Sequence, residues 1–283
     1  MKKILRIFPR RTNATPDDSD VRINTTPTLF DEADEVHISV AFTWDIPRAE
    51  WLANQWKYVA PVKIGGPAFN EKGCEFIPGM YMKKGYVITS RGCPNRCWFC
   101  QVPKREGGIL RELPVTEGYN IVDDNLLACS EEHINLVFSM LKLQKHRPIF
   151  SGGLEAKLLT QEMAFRLKEL NPVTMFFAYD TPDDYDPLVR AGKYLSQAGF
   201  SKNNHIARCY VLCGYQRDTF EFAEIRMRQA WAAGFFPFAM LYRDKTGKYN
   251  PEWKRFQRQW ANPHIVASNL KKMSYSGLCE QKI

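Results

Sequence analysis

"YVITSRGCPNRCWFC" occupies residues 86–100 and joins a predicted strand, YVITS, to a loop that carries three cysteines. Cys93, Cys97 and Cys100 stand within eight positions of one another. A Pro-Asn pair directly after the first cysteine favours a tight turn, which brings the thiols together. The stretch therefore predicts a strand that ends at a cysteine-rich site.

Five further strands are predicted downstream from their β-branched and aromatic residues, at 119–124, 147–151, 173–179, 206–213 and 235–241. Helical patterns separate most of them. Strands that alternate with helices indicate right-handed βαβ units and a parallel sheet. We therefore expect an α/β fold with a partial (β/α)6 barrel, similar to a TIM barrel, whose site lies at the carboxyl ends of the strands.

The helices are predicted from capping residues and apolar spacing. Ser130 caps the first, over 130–144, and a second covers 154–170. A third ends at Gly199, and Asp218 opens a fourth.

The N-terminal segment is expected to be a small α/β extension. Its strands are predicted at 4–8, 36–42 and 62–66, its helix at 46–57, and a loop at 13–28. The predicted domains are 1–84 for this extension, 85–245 for the barrel and 246–283 for a C-terminal extension.

Composition indicates a folded protein with a sizeable core, because 45% of the 283 residues are hydrophobic and 13% are aromatic. No run approaches the roughly 18 uncharged apolar residues of a membrane span. The start of the chain lacks the pattern of a signal peptide, so we expect a cytoplasmic protein without a membrane partner. A net charge of +8 suits an anionic partner such as nucleic acid, or simply a basic surface. The aromatics among the basic residues of 252–260 could stack on bases or belong to the core.

Eight cysteines in a reducing compartment are more typical of metal or catalytic sites than of disulfides. A structural zinc site would need a fourth ligand, and Cys74 or Cys129 would have to come from outside the loop. Three thiolates suit an iron–sulfur cluster with one iron left open. Cys209 and Cys213 could join Cys279 at a second cluster, or be buried small hydrophobic residues.

The motif Cys-x3-Cys-x2-Cys, with Phe99 before its last cysteine, resembles the signature of the radical S-adenosylmethionine enzymes. It is particularly similar to the branch that often carries a cobalamin-binding domain, and the resemblance covers about residues 60–243. It implies that Cys93, Cys97 and Cys100 each bind one iron of a [4Fe-4S] cluster and that S-adenosylmethionine chelates the fourth. It also implies that the reduced cluster cleaves this cofactor to a 5′-deoxyadenosyl radical, which abstracts hydrogen from a substrate. A reductant such as flavodoxin or ferredoxin is then a partner.

The resemblance also implies contacts with the methionine group of the cofactor. The stretch FSGGLE, with Ser151, Gly152, Gly153 and Glu155, resembles the Gly-Gly-Glu element of the family. It departs in having a leucine before the glutamate and in following the third strand, whereas the family element follows the second. The second-strand position belongs to Asp123, Asp124 and Asn125, so both groups are candidates. The glycines could equally form an ordinary strand–helix turn.

Contacts with the nucleoside are implied at later strand ends. Asp180 stands where the family often places an acidic group on the ribose hydroxyls, although it could instead be a helix or turn cap. Gly214 resembles part of the fifth-strand element near adenine. Main-chain groups near Leu241 and Tyr242 would read the adenine edge.

The stretch VKIGGPAF, residues 62–69, is similar to the last strand and turn of the cobalamin-binding domain. The chain lacks the D-x-H-x-x-G loop of that domain, so a truncated remnant without cobalamin is expected, and binding without the histidine is left open. The substrate is unidentified, and the basic surface favours a nucleotide, nucleic acid or other anion. The alternative is a non-catalytic iron–sulfur or zinc protein that binds nucleic acid.

Overall fold

The computed structural model describes residues 2–73, 75–266 and 268. The strands in this part of the chain are β1 (Ile4–Phe8), β2 (Val21–Ile23), β3 (Glu35–Ser39), β4 (Val62–Gly65), β5 (Tyr86–Val87), β6 (Ser90–Arg91), β7 (Arg111–Glu112), β8 (Asn120–Ile121), β9 (Ile149–Phe150), β10 (Thr174–Ala178), β11 (Ala207–Cys213) and β12 (Phe236–Leu241). The α-helices are α1 (Ile46–Trp56), α2 (Val102–Glu106), α3 (Glu131–Lys142), α4 (Gln161–Glu169), α5 (Tyr185–Gln197), α6 (Phe220–Ala232) and α7 (Pro251–Ala261).

The chain divides into two compact units, the first comprising residues 1–146 with 245–247 and the second the remaining residues. In the first unit, a four-stranded parallel sheet has the order β2-β1-β3-β4. Its core includes Leu5, Ile7 and Ile38, against which α1 packs Leu52 and Trp56. The predicted strands and helix of the N-terminal segment are thus confirmed.

β2 lies within the stretch 13–28, for which the composition predicts a loop. All of its residues are half-buried, and it pairs only with β1 at the edge of the sheet. A strand of three residues is too short to show the alternation of apolar and polar residues, and its neighbours in sequence are aspartates, threonines and prolines. The segment is a strand because it pairs with β1.

The first unit also holds the parallel pair β5 and β8, and the antiparallel pair β6 and β7. The cysteine loop lies between β6 and β7. It leaves β6 at Gly92, whose φ is +93° and whose position leaves no room for a side chain, because a Cβ atom would lie 1.9 Å from the carbonyl oxygen of Ile109. A glycine is required at this turn.

In the second unit, β9 to β12 are parallel neighbours in chain order. Every second residue of β11 is buried, from Ala207 to Cys213. Phe177 and Phe235 are fully buried in the same unit, with ring centroids 5.0 Å apart. Its core therefore lies against the strands that the sequence predicts.

The strands after residue 85 form a six-stranded parallel sheet of order β12-β11-β10-β9-β8-β5, apart from the short pair β6 and β7. This confirms the α/β class and the parallel sheet. The division into three domains at residues 84 and 245 stays a prediction. No helix in the described ranges is long and apolar enough to span a membrane.

Two helix starts differ from the predictions. The helix expected over 154–170 begins only at Gln161, because Thr160 has extended backbone and its side chain accepts a hydrogen bond from the main-chain N–H of Met163. Thr219, not Asp218, caps α6 in the same way. A helix begins at its capping residue even where the apolar spacing continues upstream of it, so spacing alone predicts a start that is too early. Ser130 caps α3 as predicted.

Candidate functional site

The three motif cysteines lie on the irregular loop that links β6 to α2. Cys97 is exposed, whereas Cys93 and Cys100 are half-buried. The main-chain N–H of Cys100 donates to the carbonyl oxygen of Cys97 at 3.0 Å. This bond closes a turn between the last two cysteines. Phe99 is half-buried, and its ring meets that of the exposed Trp98 edge to face, with centroids 5.4 Å apart.

N–H groups donate hydrogen bonds to the sulfurs of Cys93 and Cys100. Asn125 donates from Nδ2 to Sγ of Cys93 at 3.4 Å. The main-chain N–H of Val102 donates to Sγ of Cys100 at 3.4 Å. Burial raises the pKa of the Cys100 thiol, and the nearby Cys93 and Asp124 add to this effect. N–H donors of this kind stabilise a negatively charged sulfur, and they are among the groups that tune iron–sulfur clusters.

Asp124 holds the start of the cysteine loop. Its carboxylate accepts a hydrogen bond from the main-chain N–H of Gly92 at 2.8 Å. Arg105, at α2 after the last cysteine, donates from Nη2 to the same carboxylate at 3.0 Å. Both ends of the loop are therefore tied to Asp124, the third residue after the end of β8.

Asp123 has a structural role beside it. This buried carboxylate accepts from the main-chain N–H and the hydroxyl of Thr89, both at 2.6 Å, and from the hydroxyl of Ser90 at 2.8 Å. Burial raises its pKa, against the effect of these hydrogen bonds. Because its oxygens are engaged by β6 and the residue before it, Asp124 and Asn125 are the members of the group that face the cysteines.

The sequence reasoning missed a buried charge cluster next to the loop. Glu106 accepts hydrogen bonds from Arg105 at 3.0 Å and from Arg111 at 2.6 Å. Burial acts to raise the pKa of Glu106, but these bonds together hold it below its ordinary value. The signal in the sequence was weak, since charged residues after a cysteine motif have no spacing that distinguishes a buried cluster from an exposed helix.

In the second unit, Asp180 follows β10 and contacts β11. Its carboxylate accepts a hydrogen bond from the main-chain N–H of Leu212 at 3.0 Å. Burial raises its pKa to about 7. The capping box at this point is formed by Thr181 and Asp184, so the alternative that Asp180 is the cap is wrong.

Residues 151–155 follow β9. Ser151, Gly152 and Glu155 are half-buried and Gly153 is exposed. A Cβ atom at Gly153 would meet nothing within 4 Å, so close packing does not demand this glycine. The main-chain N–H of Leu154 donates to the carbonyl oxygen of Phe176 at 2.8 Å, which fixes the segment against the end of β10.

Gly214, Leu241 and Tyr242 lie at the ends of β11 and β12. Gly214 has a φ of +76°, and a Cβ atom there would lie 2.8 Å from Trp253. Leu241 pairs in register with Cys213, whose carbonyl oxygen accepts from the main-chain N–H of Tyr242 at 2.8 Å. The N–H of Tyr242 is thus part of the strand pairing.

Cys209 and Cys213 are fully buried on one face of β11. Burial raises the pKa of Cys213 to about 12 and that of Cys209 well above its ordinary value. These properties support the prediction of small hydrophobic core residues. Cys279, the third member of the possible second cluster, and Cys74 both lie outside the described residues.

The aromatics of 252–260 belong to the core of the second unit. Trp253, Phe256 and Trp260 are buried on α7, and Trp253 packs on Phe220 with centroids 4.3 Å apart. Base stacking on these rings is excluded by their burial. The basic side chains between them, Arg255 and Arg258, are exposed.

Within the described ranges, no group of three or more His, Cys, Asp or Glu side chains is arranged to hold a metal ion. Comparison of the chain with protein-family models and with curated proteins gives no match. The local donor set nevertheless has a defined chemistry. It presents three thiols on one short loop, and N–H groups already point at two of them.

Proposed function

We propose that this chain is a radical S-adenosylmethionine enzyme. Cys93, Cys97 and Cys100 would hold a [4Fe-4S] cluster with one iron open to the cofactor. The observation that carries the proposal is the loop itself, with three thiols at Cys-x3-Cys-x2-Cys spacing and N–H donors on Cys93 and Cys100. Three thiol ligands suit a cluster in which the fourth iron takes a non-protein ligand.

The residues around the loop have separate tasks in this proposal. When bound and reduced, the cluster would supply the electron that cleaves S-adenosylmethionine. Asn125 orients the sulfur of Cys93, and Asp124 with Arg105 fixes both ends of the loop. The half-buried ring of Phe99, which packs against Trp98, would screen the cluster from water. Such neighbours of the ligands set the affinity and the potential of a cluster.

The strand ends of the second unit supply the proposed nucleoside contacts. In this proposal the six-stranded parallel sheet is a partial (β/α)6 barrel, in which function collects at the carboxyl ends of the strands. Asp180 would accept hydrogen bonds from the ribose hydroxyls. Ser151 to Glu155, Gly214 and the main chain near Leu241 are the remaining candidates. The substrate class proposed is a nucleotide, a nucleic acid or another anion, in keeping with the net charge of +8.

The test is anaerobic reconstitution with iron and sulfide, followed by reduction with dithionite in the presence of S-adenosylmethionine. We expect 5′-deoxyadenosine and methionine by mass spectrometry from the wild type and from Cys209→Ala, whose thiol lies in the core. Cys97→Ala should form neither product. The proposal is overturned if the iron-loaded wild type forms no 5′-deoxyadenosine, or if Cys97→Ala forms as much.

The same preparation tests the alternative of a non-catalytic metal protein. Purified protein that holds zinc in place of iron, forms no 5′-deoxyadenosine after reconstitution and retains a labelled oligonucleotide would favour that alternative. The exposed Arg255 and Arg258 of α7 would then be the first residues to replace.

A further inference from the structure

The four-stranded sheet of the first unit has a topological switch point between β1 and β3. The chain runs from β1 to β2 on one side, and then returns to β3 on the other side of β1. All pairs in the sheet are parallel. In open parallel sheets, ligands bind in the crevice outside the carboxyl ends of the strands at such a point.

A cavity of about 460 Å³ lies at this place. It is lined by Phe8, Ser39 and Gly65, the last residues of β1, β3 and β4, and by residues that follow them. The volume lies within the range of about 300–1,000 Å³ that is usual for small-molecule sites. Apolar side chains form much of the wall, among them Ile38, Ile64, Phe76, Ile77, Met82 and Ile88.

Most of the guanidinium and ammonium groups that line the cavity have carboxylate partners. Arg10 pairs with Asp45 at 2.8 Å, and Lys63 pairs with Glu35 at 2.8 Å. Arg105 pairs with Asp124 at 3.0 Å. These charges are therefore compensated within the protein.

Arg91 differs from them. Its Nε is buried, and among the described residues it has no hydrogen-bond partner. Its guanidinium packs on the main chain of Gly73, where a Cβ atom would lie 2.6 Å from Nε. A buried donor without a partner is costly, and a bound group that accepts a hydrogen bond from it would remove this cost.

The two carboxylates that act most on Arg91 are paired with other arginines. The charged groups that act on it are Glu106 and Asp124, which are already engaged by Arg105 and Arg111. Three guanidinium groups thus share these two carboxylates, and Glu71, Lys72 and Glu75 also line the cavity.

We propose that this cavity binds a small organic anion, with an apolar body against the aliphatic wall and a carboxylate or phosphate group on Arg91. An arginine fork suits both groups, since it donates to two oxygens of one planar or tetrahedral anion. The inference rests on the sheet, the cavity and Arg91, and it does not depend on the proposed cluster.

The probe is 8-anilinonaphthalene-1-sulfonate, compared with N-phenyl-1-naphthylamine, which has the same rings without the sulfonate. Fluorescence titration of the full chain without iron should show tighter binding of the anionic dye. Arg91→Gln should weaken that dye about tenfold or more and leave the neutral one unchanged, because only the charge-assisted bond is lost. Arg11→Gln is the matched control, since Arg11 is exposed and does not line the cavity.

Two further variants keep the test decisive if Arg91→Gln does not fold. Gly73→Ala should displace the guanidinium and produce the same selective loss of the anionic dye. Ala41→Trp, at an exposed position of the lining, should weaken both dyes by filling the cavity. Equal affinities of the wild type for the two dyes, or unchanged binding in Ala41→Trp, would overturn the inference.

Discussion

Cysteines occur in two unlike regions of this chain, the loop after β6 and the strand β11. On the loop, Cys97 is exposed, and Cys93 and Cys100 accept hydrogen bonds from N–H groups. On β11, Cys209 and Cys213 are fully buried in the core, and burial raises their pKa. Our proposal assigns ligation to the side chains of the first region, whereas those of the second pack in the core. The neighbours of a thiol, not its presence, distinguish the two uses.

The largest expected difference concerns iron. We expect Cys97→Ala to lose almost all of the iron and sulfide that the reconstituted wild type retains, because a cluster with two protein ligands is poorly held. Cys209→Ala should retain wild-type amounts. Colorimetric iron and sulfide determination with electron paramagnetic resonance checks this, and equal iron in the two variants would remove the distinction between the regions.

Alkylation sharpens the same comparison in the protein without iron. At about pH 8, iodoacetamide should label Cys97 at least about a thousandfold faster than Cys213, since a pKa of about 12 leaves few thiolates on the buried residue. Peptide mass spectrometry over time gives the rates. Unfolding in guanidinium is the control and should make them similar, whereas rapid labelling of Cys213 in the folded protein would show that β11 is accessible.

Asp180 makes the β11 region sensitive to pH. Its pKa is raised by burial to about 7, so the native state binds a proton that the unfolded state releases near pH 4. The stability that this proton contributes is present below about pH 4 and is lost as the pH rises through about 7. In the wild type, this proton should make the free energy of unfolding fall by roughly 2 kcal/mol between about pH 5 and 7. We expect Asp180→Asn to remove this fall.

Urea unfolding at several pH values measures this effect. Asp183→Asn is the matched control, because Asp183 is exposed three residues later and should leave the pH dependence unchanged. A wild-type stability that rises over this interval in step with the variant would show that Asp180 is ionised in the native state.

The smallest expected effect tests the hydrogen bond on the loop. Asn125→Ala removes the donor to Cys93 and should weaken iron retention about tenfold against a competing chelator, as is usual for groups that orient metal ligands. Asn125→Gln is the control, because it keeps an amide donor on a longer side chain. If this amide reaches the sulfur of Cys93, iron retention should be partly restored. No change in Asn125→Ala would mean that the bond does not act on the cluster.

Local patterns predicted much of the fold. The strands β5 and β8 to β12 and the helices α1, α3 and α5 lie where periodicity and capping residues place them, whereas β7 and α2 were not predicted. The errors also have local causes. Thr160 interrupts the helical pattern predicted from residue 154, and β2 is too short to show a pattern. A pattern fails where one hydrogen bond or one neighbouring strand decides the backbone.

The sequence by itself determined the α/β class, the main alternation of strands and helices and the spacing of the three loop cysteines, because each is a property of neighbouring residues along the chain. Only the tertiary structure decided which residues face the thiols, and that the buried Nε of Arg91 at the cavity has no hydrogen-bond partner among the described residues. Asn125 and Cys93 are 32 positions apart, and Arg91 reaches Gly73 across 18. Such contacts depend on strand pairing and on the path of the loop, and neither can be predicted from the local composition.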